Sequence, residues 1–509
     1  MTVAAAAKRQ KRVWLLLEGT YPYVRGGVSS WVHQIILGLP EVHFDIVFIG
    51  GSRKHYDKPL YELPPNVGEV KMYYLEDSWN VPQGRTRRRS KKLFARSDAL
   101  HERFKCPHGA SSEELAELLE LVAGDGVTIG HNEFLRSRAA WESITSSYEA
   151  HCTDANFLNY FWTVRSMHAP IFMLAQIARD VGTVEVVHSI STGYAGLLGA
   201  MIKARNPQAS YILTEHGIYT KERKIDLAQA DWIQEPGHQF DIGLTEDFGY
   251  LRRLWIRFYE QIGRITYAAA DQIIALYGGN RDRQVSDGAE RERTAVVPNG
   301  ISLDRYADAL DKRTDTIPPV IGFVGRVVPI KDVKTFVRAM RAVVNEIPDA
   351  EGWIVGPTEE DEAYASECDA LVKGLGLEAH VKFLGFQNVP EMMPKLGLMA
   401  LTSISEAQPL VLLEAFAAGV PCVATDVGSC REMIEGAPDE GDALGSAGEV
   451  VGISDPMATA AACTSLLTNR DRWNAAQAVG LQRVQQFYSE SLMFERYKQI
   501  YAEAGGWPA

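Results

Sequence analysis

The chain has 509 residues, a formal net charge of −13, 46% hydrophobic residues and 23% charged residues. This length exceeds what one hydrophobic core usually organises, so two large domains are expected. The acidic balance argues against general nucleic-acid binding, and no apolar run approaches the eighteen or more residues that cross a bilayer, so we expect no membrane span.

Six cysteines are scattered without any Cys-x-x-Cys pair, so neither a zinc site nor a disulfide framework is indicated. The first residues carry their positive charges after a run of alanines, which is the reverse of a secretion signal. We therefore expect a cytoplasmic protein with reduced thiols.

Seven short apolar runs, punctuated by glycine, occur along the first half of the chain. Such runs, separated by helix-length segments, are typical of parallel strands buried on both faces. They predict a first doubly wound α/β domain. The runs are residues 13–19, 44–50, 70–75, 184–190, 211–217, 272–278 and 294–300.

A glycine pair follows the first predicted strand. Gly26 and Gly27 precede a helix-forming segment, so the backbone can approach a ligand closely there and the helix N-terminus can face its phosphate. Tyr23 and Arg25 lie in the same loop and are candidates for contact with a substrate.

The regular spacing of predicted strands is interrupted between residues 76 and 166. This region contains the helix-like ELAELLELVAG and the aromatic FLNYFW, which predict a helical elaboration of the first domain. It also contains the basic run Arg85 to Lys92, RTRRRSKK. Two interpretations of this run stay open, a solvated loop and a contact with anionic lipid, an acidic partner or an acceptor.

Two histidines end predicted strands of the first domain. His188 is followed by SISTGYAG, which forms either a second anion-binding turn or a tight strand-to-helix connection. His216 stands before Gly217, where a histidine is commonly bonded to a loop carbonyl. A polar run follows, made of Lys221, Glu222 and Arg223. Two interpretations of this run stay open, a role on the acceptor side and a solvated start of a helix.

The domain boundary is predicted between Ile301 and Pro319, in a polar segment that ends in a proline pair. Asn299 and Gly300, just before it, predict a turn. Six more apolar runs follow and predict a second doubly wound domain, namely VIGFVG, EGWIVG, VKFLGF, LMALTSI, PCVATDVG and GEVVGI. The predicted domains are residues 1–305 and 316–486, followed by a final helix within residues 487–509 that has Leu492, Tyr497 and Ile500 to bury.

Two cations flank the first turn of the second domain. In VIGFVGRVVPIKDVKTF, Arg326 and Lys331 stand five residues apart after a strand, and Asp332 can cap the following helix. At the carboxyl edge of a parallel sheet, a guanidinium and an ammonium with this spacing make a clamp for a diphosphate. Alone, the pair would more often be two solvated loop cations.

The segment SEAQPLVLLEAFAAG sets Glu406 and Glu414 eight positions apart across a loop that turns into a helix. Pro409 suits the first turn, Gly419 is placed to end the helix, and the helix is predicted from about Leu410 to Ala418. Its first free amides favour phosphate, and both carboxylates can accept hydrogen bonds from hydroxyls.

Together, GRVVPIK and the Glu-x7-Glu pattern resemble the retaining, metal-independent glycosyltransferases of family GT4. The segments LLLEGTYPYVRGGVSSWVHQII and TEHGIYTKER extend this resemblance, within enzymes of exopolysaccharide synthesis, over essentially the whole chain. The resemblance implies the α/β GT-B fold, in which two Rossmann-like doubly wound domains face each other across a cleft and the final helix crosses back to the first domain.

The resemblance also implies ligands and roles. The donor would be a UDP-sugar, the acceptor a growing polysaccharide, and the partners inner-membrane proteins of a synthesis complex that recruit the chain; no cofactor or metal would be required. The implied catalytic residues are His216, Arg326, Lys331 and Glu406. The implied donor-binding residues are Gly26, Gly27, Arg326, Lys331, Glu406, Gln408, Pro409, Leu410 and Glu414. The implied acceptor-side residues are Tyr23, Arg25, His188, Lys221, Glu222 and Arg223.

No two aspartates in the chain are separated by a single residue, so the Asp-x-Asp metal motif of GT-A transferases is missing and the two cations are expected to neutralise the diphosphate. Two other classes stay open. A nucleotide-dependent dehydrogenase would share the sheets, although GTYPYVRGG is not a G-x-G-x-x-G turn. A catalytically silent nucleotide-binding scaffold would share the fold without needing the two cations and two glutamates.

Overall fold

The computed structural model describes residues 11–79, 90–103, 111–126, 128–153, 155–228, 230, 233, 249–313, 316–437 and 441–508. The chain forms two compact units. Unit 1 comprises residues 1–275, 281–295 and 497–509, and unit 2 comprises residues 276–280 and 296–496. Arg85 to Arg89 of the basic run lie outside the described residues.

The described part of unit 1 is built on a seven-stranded sheet of order β3-β2-β1-β4-β5-β6-β7, with parallel pairing from β3 through β6. Each of the seven apolar runs supplies one strand, which confirms the first doubly wound domain. The strands are β1 Arg12–Glu18, β2 His43–Gly50, β3 Val67–Tyr74, β4 Val186–Ser189, β5 Ser210–Glu215, β6 Gln272–Ala275 and β7 Thr294–Val296.

Ten helices accompany this sheet among the described residues. They are α1 Gly27–Gly38, α2 Ser90–Arg103, α3 Ser112–Ala123, α4 His131–Arg136, α5 Arg138–His151, α6 Phe157–Val181, α7 Tyr194–Arg205, α8 Tyr219–Ala228, α9 Tyr250–Ala269 and α10 Gly278–Asp287. The described residues between 76 and 166 are mainly helical. The helical region does not end at Ser166, because α6 continues to Val181 and buries Leu174, Ile177 and Ala178.

Unit 2 is built on a six-stranded parallel sheet of order β10-β9-β8-β11-β12-β13. Each of the six later apolar runs supplies one strand. The strands are β8 Val320–Val324, β9 Glu351–Val355, β10 Val381–Gly385, β11 Leu398–Leu401, β12 Cys422–Thr425 and β13 Gly448–Val451. The helices are α11 Val333–Glu346, α12 Glu362–Gly374, α13 Val389–Met392, α14 Leu410–Ala417, α15 Cys430–Glu435, α16 Pro456–Thr468, α17 Arg470–Phe487 and α18 Glu490–Gly505.

Helix α11 shows how local sequence sets this unit. Asp332 caps it, accepting hydrogen bonds from the Thr335 amide at 3.2 Å and the Thr335 hydroxyl at 2.7 Å. Its apolar face, which includes Phe336, Val337 and Met340, is buried against the sheet. The cap and this face together fix where the turn that carries Arg326 and Lys331 ends.

The longer segment of unit 2 begins at Val296, and the residues after β7 are bonded to the connection between α17 and α18. The Ile301 amide donates to the Tyr488 carbonyl at 2.9 Å, and the Glu490 amide donates to the Ile301 carbonyl at 2.9 Å. Helix α18 contributes Tyr497 onward to unit 1. Tyr497 and Ile500 are buried there, whereas Leu492 stays half-buried and Met493 takes the buried position.

Unit 2 also encloses an ion pair. The Arg483 guanidinium is fully buried and donates to the Asp442 carboxylate at 3.0 Å and to the Ile434 carbonyl at 2.6 Å. The Gly445 carbonyl accepts a further hydrogen bond at 2.6 Å. These bonds fasten α17 to the loop after α15.

We expect Arg483→Met to lower the free energy of unfolding by about 3–5 kcal/mol, because the Asp442 carboxylate would stay buried without its cation. Denaturant unfolding followed by circular dichroism measures this. The matched control is Arg431→Met, whose ion pair with Asp426 is half-exposed and should matter by less than about 1 kcal/mol. Equal losses in both variants would contradict the prediction.

Candidate functional site at the switch point of unit 2

The order of strands in unit 2 reverses between β8 and β11, which are neighbours in the sheet. In doubly wound sheets, the loops that leave two such strands diverge and open a crevice at the carboxyl edge, where ligands bind. Arg326 and Lys331 follow β8, and Glu406 and Gln408 follow β11. Two motifs that lie far apart in the sequence thus meet on the two sides of one crevice.

The turn after β8 is held by the turn after β9. The Gly325 amide donates to the Val355 carbonyl at 2.9 Å, and the Val327 amide donates to the Pro357 carbonyl at 3.0 Å. Gly356 has a φ of +148°, and a Cβ there would lie 1.9 Å from the Gly325 carbonyl oxygen. Only glycine allows this approach, which fixes the backbone that carries Arg326.

Arg326 already has a partner in the ligand-free chain, because its guanidinium forms an ion pair with Glu360. The two side chains are 53% and 50% exposed. Exposed pairs of this kind contribute little free energy. A diphosphate can therefore replace Glu360 as the partner of Arg326 at low cost.

Lys331 forms an ion pair with Glu406, the first glutamate of the Glu-x7-Glu pattern. This pair is more enclosed, with 21% and 12% of the side chains exposed. The Ser403 hydroxyl also donates to Glu406, at 2.6 Å. The two predicted halves of the site are therefore in direct contact.

The loop between β11 and α14, residues 402–409, is supported from behind by the segment after β12. The Thr425 hydroxyl donates to the Ser403 carbonyl at 2.6 Å, and the Ser429 amide donates to the Ala407 carbonyl at 2.8 Å. Gly428 has a φ of +54°, and a Cβ there would lie 2.3 Å from the Glu406 carbonyl oxygen. This glycine is required for the loop to keep its position.

Helix α14 begins at Leu410, as predicted, with Pro409 as its N-cap and no side chain bonded to its first turn. The helix ends at Ala417, and Gly419, with a φ of +66°, terminates it. Uncapped amides and the positive end of the helix dipole favour an anion at this end.

Glu414 lies within α14, on the turn that follows the loop. Burial raises the pKa of its carboxyl, whereas the Tyr306 hydroxyl and the Arg305 guanidinium lower it. A half-buried carboxylate with few partners of its own is suited to accept hydrogen bonds from a ligand's hydroxyls.

Gln408 is buried and contacts a residue to which the sequence assigned only a turn. Its Oε1 accepts a hydrogen bond from the Asn299 backbone amide at 2.8 Å. Asn299 is itself buried. The loop that carries Glu406 is thereby attached to the segment that opens unit 2.

In unit 1, Gly26 and Gly27 are exposed at the start of α1. A Cβ at either position would meet no atom within 4 Å, so the chain itself does not demand glycine there. Helix α1 carries Trp31, whose ring contacts His216 edge-to-face at 4.7 Å between centroids. Burial lowers the pKa of His216 to about 3, and its Nε2 has no hydrogen-bond partner among the described residues.

His188, an implied acceptor-side residue, is fully buried instead. Its Nδ1 lies 2.7 Å from the Tyr501 hydroxyl, and its Nε2 lies 2.8 Å from the Thr214 hydroxyl. Burial and the neighbouring His216 lower the pKa of His188 to about 3. With both ring nitrogens engaged, His188 holds α18 to the sheet and presents no atom to an acceptor.

The turn after His188 is not an open anion site. Glu18, at the end of β1, accepts hydrogen bonds from the Tyr194 amide at 2.7 Å and the Ala195 amide at 3.3 Å. A Cβ on Gly193 would lie 2.5 Å from this carboxylate. The chain thus supplies its own anion to the N-terminus of α7, and the tight strand-to-helix connection is the correct interpretation.

Of the other implied acceptor-side residues, Arg25 and Lys221 are exposed. Tyr23 is turned inward, where its hydroxyl donates to Met72 Sδ at 2.9 Å. Glu222 lies against Gly217, whose added Cβ would come within 2.0 Å of the carboxylate. Arg223 pairs with Asp226 at 3.1 Å and lies over the Tyr219 ring.

Sequence reasoning missed Glu18, Glu360 and the supporting turn at Gly428. Glu18 and Glu360 carry no local pattern, because their partners are far away in sequence. Gly428, in the run PCVATDVG, did carry a signal, since it follows a predicted strand next to the loop that it supports.

Among the described residues, no group of three or more histidine, cysteine, aspartate or glutamate side chains is arranged to hold a metal ion. No described helix is both long enough and apolar enough to cross a membrane.

The two Rossmann-like units, with a polar crevice at the switch point of unit 2, define the GT-B class of fold, to which the similar solved structures belong. Residues 11–292 match the family model described as "Domain of unknown function (DUF3492)", which covers more than half of the chain. The chain therefore belongs to the DUF3492 family. Residues 318–469 match the model described as "Glycosyl transferases group 1".

Individual curated proteins are similar to part of the chain. The lipopolysaccharide core biosynthesis mannosyltransferase LpsB of Rhizobium meliloti is 32% identical over 197 residues, which is 37% of this chain and 54% of that protein. The N-acetyl-alpha-D-glucosaminyl L-malate synthase of Bacillus anthracis is 34% identical over 174 residues, which is 34% of this chain and 42% of that protein. The chain thus spans about half the length of the curated relatives that it matches.

Similarity of structure extends over both units. Anabaena HepE, solved in complex with UDP and glucose, has a TM-score of 0.54 and 14% sequence identity, and the match covers 97% of this chain and 99% of that one. At this level of identity the likeness shows the fold alone.

The buried histidines predict a pH effect on stability. The unfolded chain binds a proton at His188 near pH 6.5, whereas the folded chain does so only near pH 3, so the free energy of unfolding falls as the pH is lowered from 7 to 4 by up to about 1.4 kcal/mol per pH unit for this group. We expect His188→Leu to be less stable at pH 7 and to have a shallower dependence on pH. Urea unfolding at pH 7, 6 and 5 checks this, and parallel pH dependences in the two proteins would contradict it.

Proposed function

We propose that the protein is a retaining, metal-independent glycosyltransferase that transfers a hexose or N-acetylhexosamine from a UDP-sugar to a growing exopolysaccharide. The sequence resemblance to PelF, the GT4-type glycosyltransferase of Pel exopolysaccharide synthesis, supports the polymer. The UDP in the similar HepE structure supports the choice of nucleotide.

One observation carries the proposal. The ion pair between Lys331 and Glu406 joins the two motifs across the switch point, next to Arg326 and to the uncapped end of α14. A crevice that combines two cations, free helix amides and two carboxylates matches a sugar nucleotide, which is a diphosphate flanked by two polyhydroxyl groups.

The proposed chemistry uses charge that develops on the leaving group. The bond between the anomeric carbon and the UDP oxygen breaks, and its electron pair stays on the diphosphate. Arg326 and Lys331 stabilise that charge, together with the first amides of α14. The acceptor oxygen bonds to the same face of the anomeric carbon, and its proton passes to the departing phosphate, as the family resemblance implies.

The two carboxylates bind the two polyhydroxyl groups of the donor. Glu414 accepts hydrogen bonds from the ribose hydroxyls, and Glu406, oriented by Lys331 and Ser403, accepts them from the sugar. The family resemblance implies that His216 of unit 1, an imidazole whose pKa burial lowers to about 3, contributes hydrogen bonding to the transferred sugar. Recruitment to an inner-membrane synthesis complex through partner proteins is part of the same proposal.

Arg326→Ala and Lys331→Ala should each weaken UDP binding about tenfold to a hundredfold, because each removes a charge-assisted hydrogen bond to the diphosphate. Calorimetric titration with UDP measures this, and a thermal melt confirms folding. Arg338→Ala, which removes an exposed cation on α11, is the control and should bind UDP normally. Unchanged affinity in both clamp variants would overturn the assignment, and binding without any sugar transfer would indicate the scaffold instead.

Glu414→Gln should weaken binding of UDP by about tenfold or more, because a neutral amide accepts hydrogen bonds from hydroxyls less strongly than a carboxylate does. It should barely change binding of 2′,3′-dideoxy-UDP, which lacks those hydroxyls. Titration of both proteins with both nucleotides tests this. A loss of equal size for the two nucleotides would assign Glu414 to a structural role.

A further inference from the structure

Large apolar side chains are exposed on three neighbouring elements of unit 1. Trp79 ends a short 3-10 helix after β3, Trp141 lies on α5, and Leu158 and Trp162 lie on α6. These residues are 41%, 49%, 62% and 52% exposed, respectively. A single exposed apolar residue needs no explanation, whereas a contiguous group marks an interaction surface.

Ring contacts join these side chains into one surface. The Trp79 and Trp162 rings lie 6.2 Å apart between centroids, and the Trp162 ring lies 5.4 Å from that of Phe161. The Phe161 ring lies 5.8 Å from that of Trp141. Leu158 stands four residues before Trp162, so both lie on the same face of α6. We call Trp79, Trp141, Leu158, Phe161 and Trp162 the aromatic patch.

The core of unit 1 does not account for the exposed face of α6. The helix is anchored through its other side, where Tyr160, Met167 and Leu174 recur every seven residues and are buried. Leu158 and Trp162 lie nearly opposite these residues on the helix. Their exposure leaves apolar area in contact with water, which is unfavourable. A partner that covers the patch recovers that free energy.

Helices α2 and α5, which lie beside the patch, run side by side in the same direction. The Ser143 hydroxyl of α5 donates to the Asp98 carboxylate of α2. Further along both helices, His151 Nε2 lies 3.1 Å from Glu102 Oε1. The first turns of α2 and α5 therefore lie at the same end of the pair.

Exposed cations gather at this end. Lys91 and Lys92 are exposed in the first turn of α2 and end the basic run RTRRRSKK. Arg138 begins α5 and pairs with Glu142 at 2.8 Å, and Trp141 of the aromatic patch follows three residues after Arg138. Because the pair with Glu142 is exposed, it contributes little free energy and leaves Arg138 available to another anion. Cations thus border the aromatic patch.

We infer that the aromatic patch, together with Lys91 and Lys92, docks unit 1 on the surface of an anionic lipid bilayer. Tryptophan rings favour the headgroup region, Leu158 offers only hydrocarbon to the acyl boundary, and lysines attract anionic headgroups. Glu142 and Asp77 add little repulsion, because each is paired with an arginine. The inference goes beyond the proposed function, since it adds direct lipid contact to recruitment through partner proteins.

Flotation of the full chain with lipid vesicles tests the inference. The vesicles contain either phosphatidylcholine alone or phosphatidylglycerol and phosphatidylcholine in equal parts. The chain should bind the anionic vesicles at least about tenfold more strongly than the neutral ones, and this difference should shrink as salt is raised, because salt screens the lysines. A blue shift of tryptophan emission should accompany binding, since the indoles leave water.

Two double variants separate the apolar and the charged parts of the surface. Leu158→Gln combined with Trp162→Gln should weaken binding to anionic vesicles about tenfold or more, because both side chains lose their apolar burial. Lys91→Gln combined with Lys92→Gln should weaken it by a similar factor and flatten its salt dependence. All four positions are exposed, so the fold should tolerate the changes, which a thermal melt checks. The control is Leu37→Gln, which changes a comparably exposed apolar residue on α1 and should bind as the wild type does.

The remaining outcomes each contradict the inference. Failure to float with either kind of vesicle overturns it, and so does full binding by both double variants. If a soluble polysaccharide shifts the tryptophan emission through Trp162 while vesicles do not, the patch binds a sugar polymer and the lipid assignment is overturned. UDP affinity should be the same in the wild type and in all three variants. Absence of UDP binding would therefore remove the proposed function and leave the vesicle result standing.

Discussion

The ion pair between Lys331 and Glu406 is the interaction on which the site depends. It joins the loop after β8 to the loop after β11 at the point where the strand order of the sheet reverses. With both side chains largely enclosed, removing either partner leaves a charge that water solvates poorly. The pair therefore holds the crevice in one arrangement, and under the proposed function both charges are in place before the donor binds.

The rest of unit 2 supports this pair through backbone contacts. Gly356 lets the turn after β9 pack closely against the backbone beside Arg326. Gly428 lets the segment after β12 pack closely against the backbone of the Glu406 loop. Both contacts place backbone where a Cβ would collide, so they tolerate no other residue without movement. Unit 1 uses charge in a different way, because Glu18 fills the N-terminus of α7 that a ligand's anion would otherwise occupy. The crevice of unit 2, in contrast, combines the uncapped start of α14 with the cations Arg326 and Lys331.

The sequence predicted the fold well because its signal is local. Thirteen apolar runs became thirteen strands among the described residues, and Asp332, Pro409 and Gly419 marked helix ends where they were expected. His188 was misassigned because a strand-end histidine reads the same whether its nitrogens face a ligand or, as here, Tyr501 and Thr214. Its partner Tyr501 lies 313 residues later in the sequence, so no motif spacing could identify the two as partners. The same reason hid Glu360 and made Asn299 look like a turn residue only.

The sequence by itself determined the two doubly wound domains, the elements that carry the motifs, and the residue types of the proposed diphosphate clamp and its two carboxylates. These follow from hydrophobic periodicity and from glycine and proline chemistry, which act over a few residues. Tertiary structure alone decided which of those residues meet. It paired Lys331 with Glu406, engaged Arg326 with Glu360, buried His188, and attached Gln408 to the backbone amide of Asn299. Partner choice of this kind depends on strand order and on burial, and both are properties of the assembled sheet that no single segment encodes.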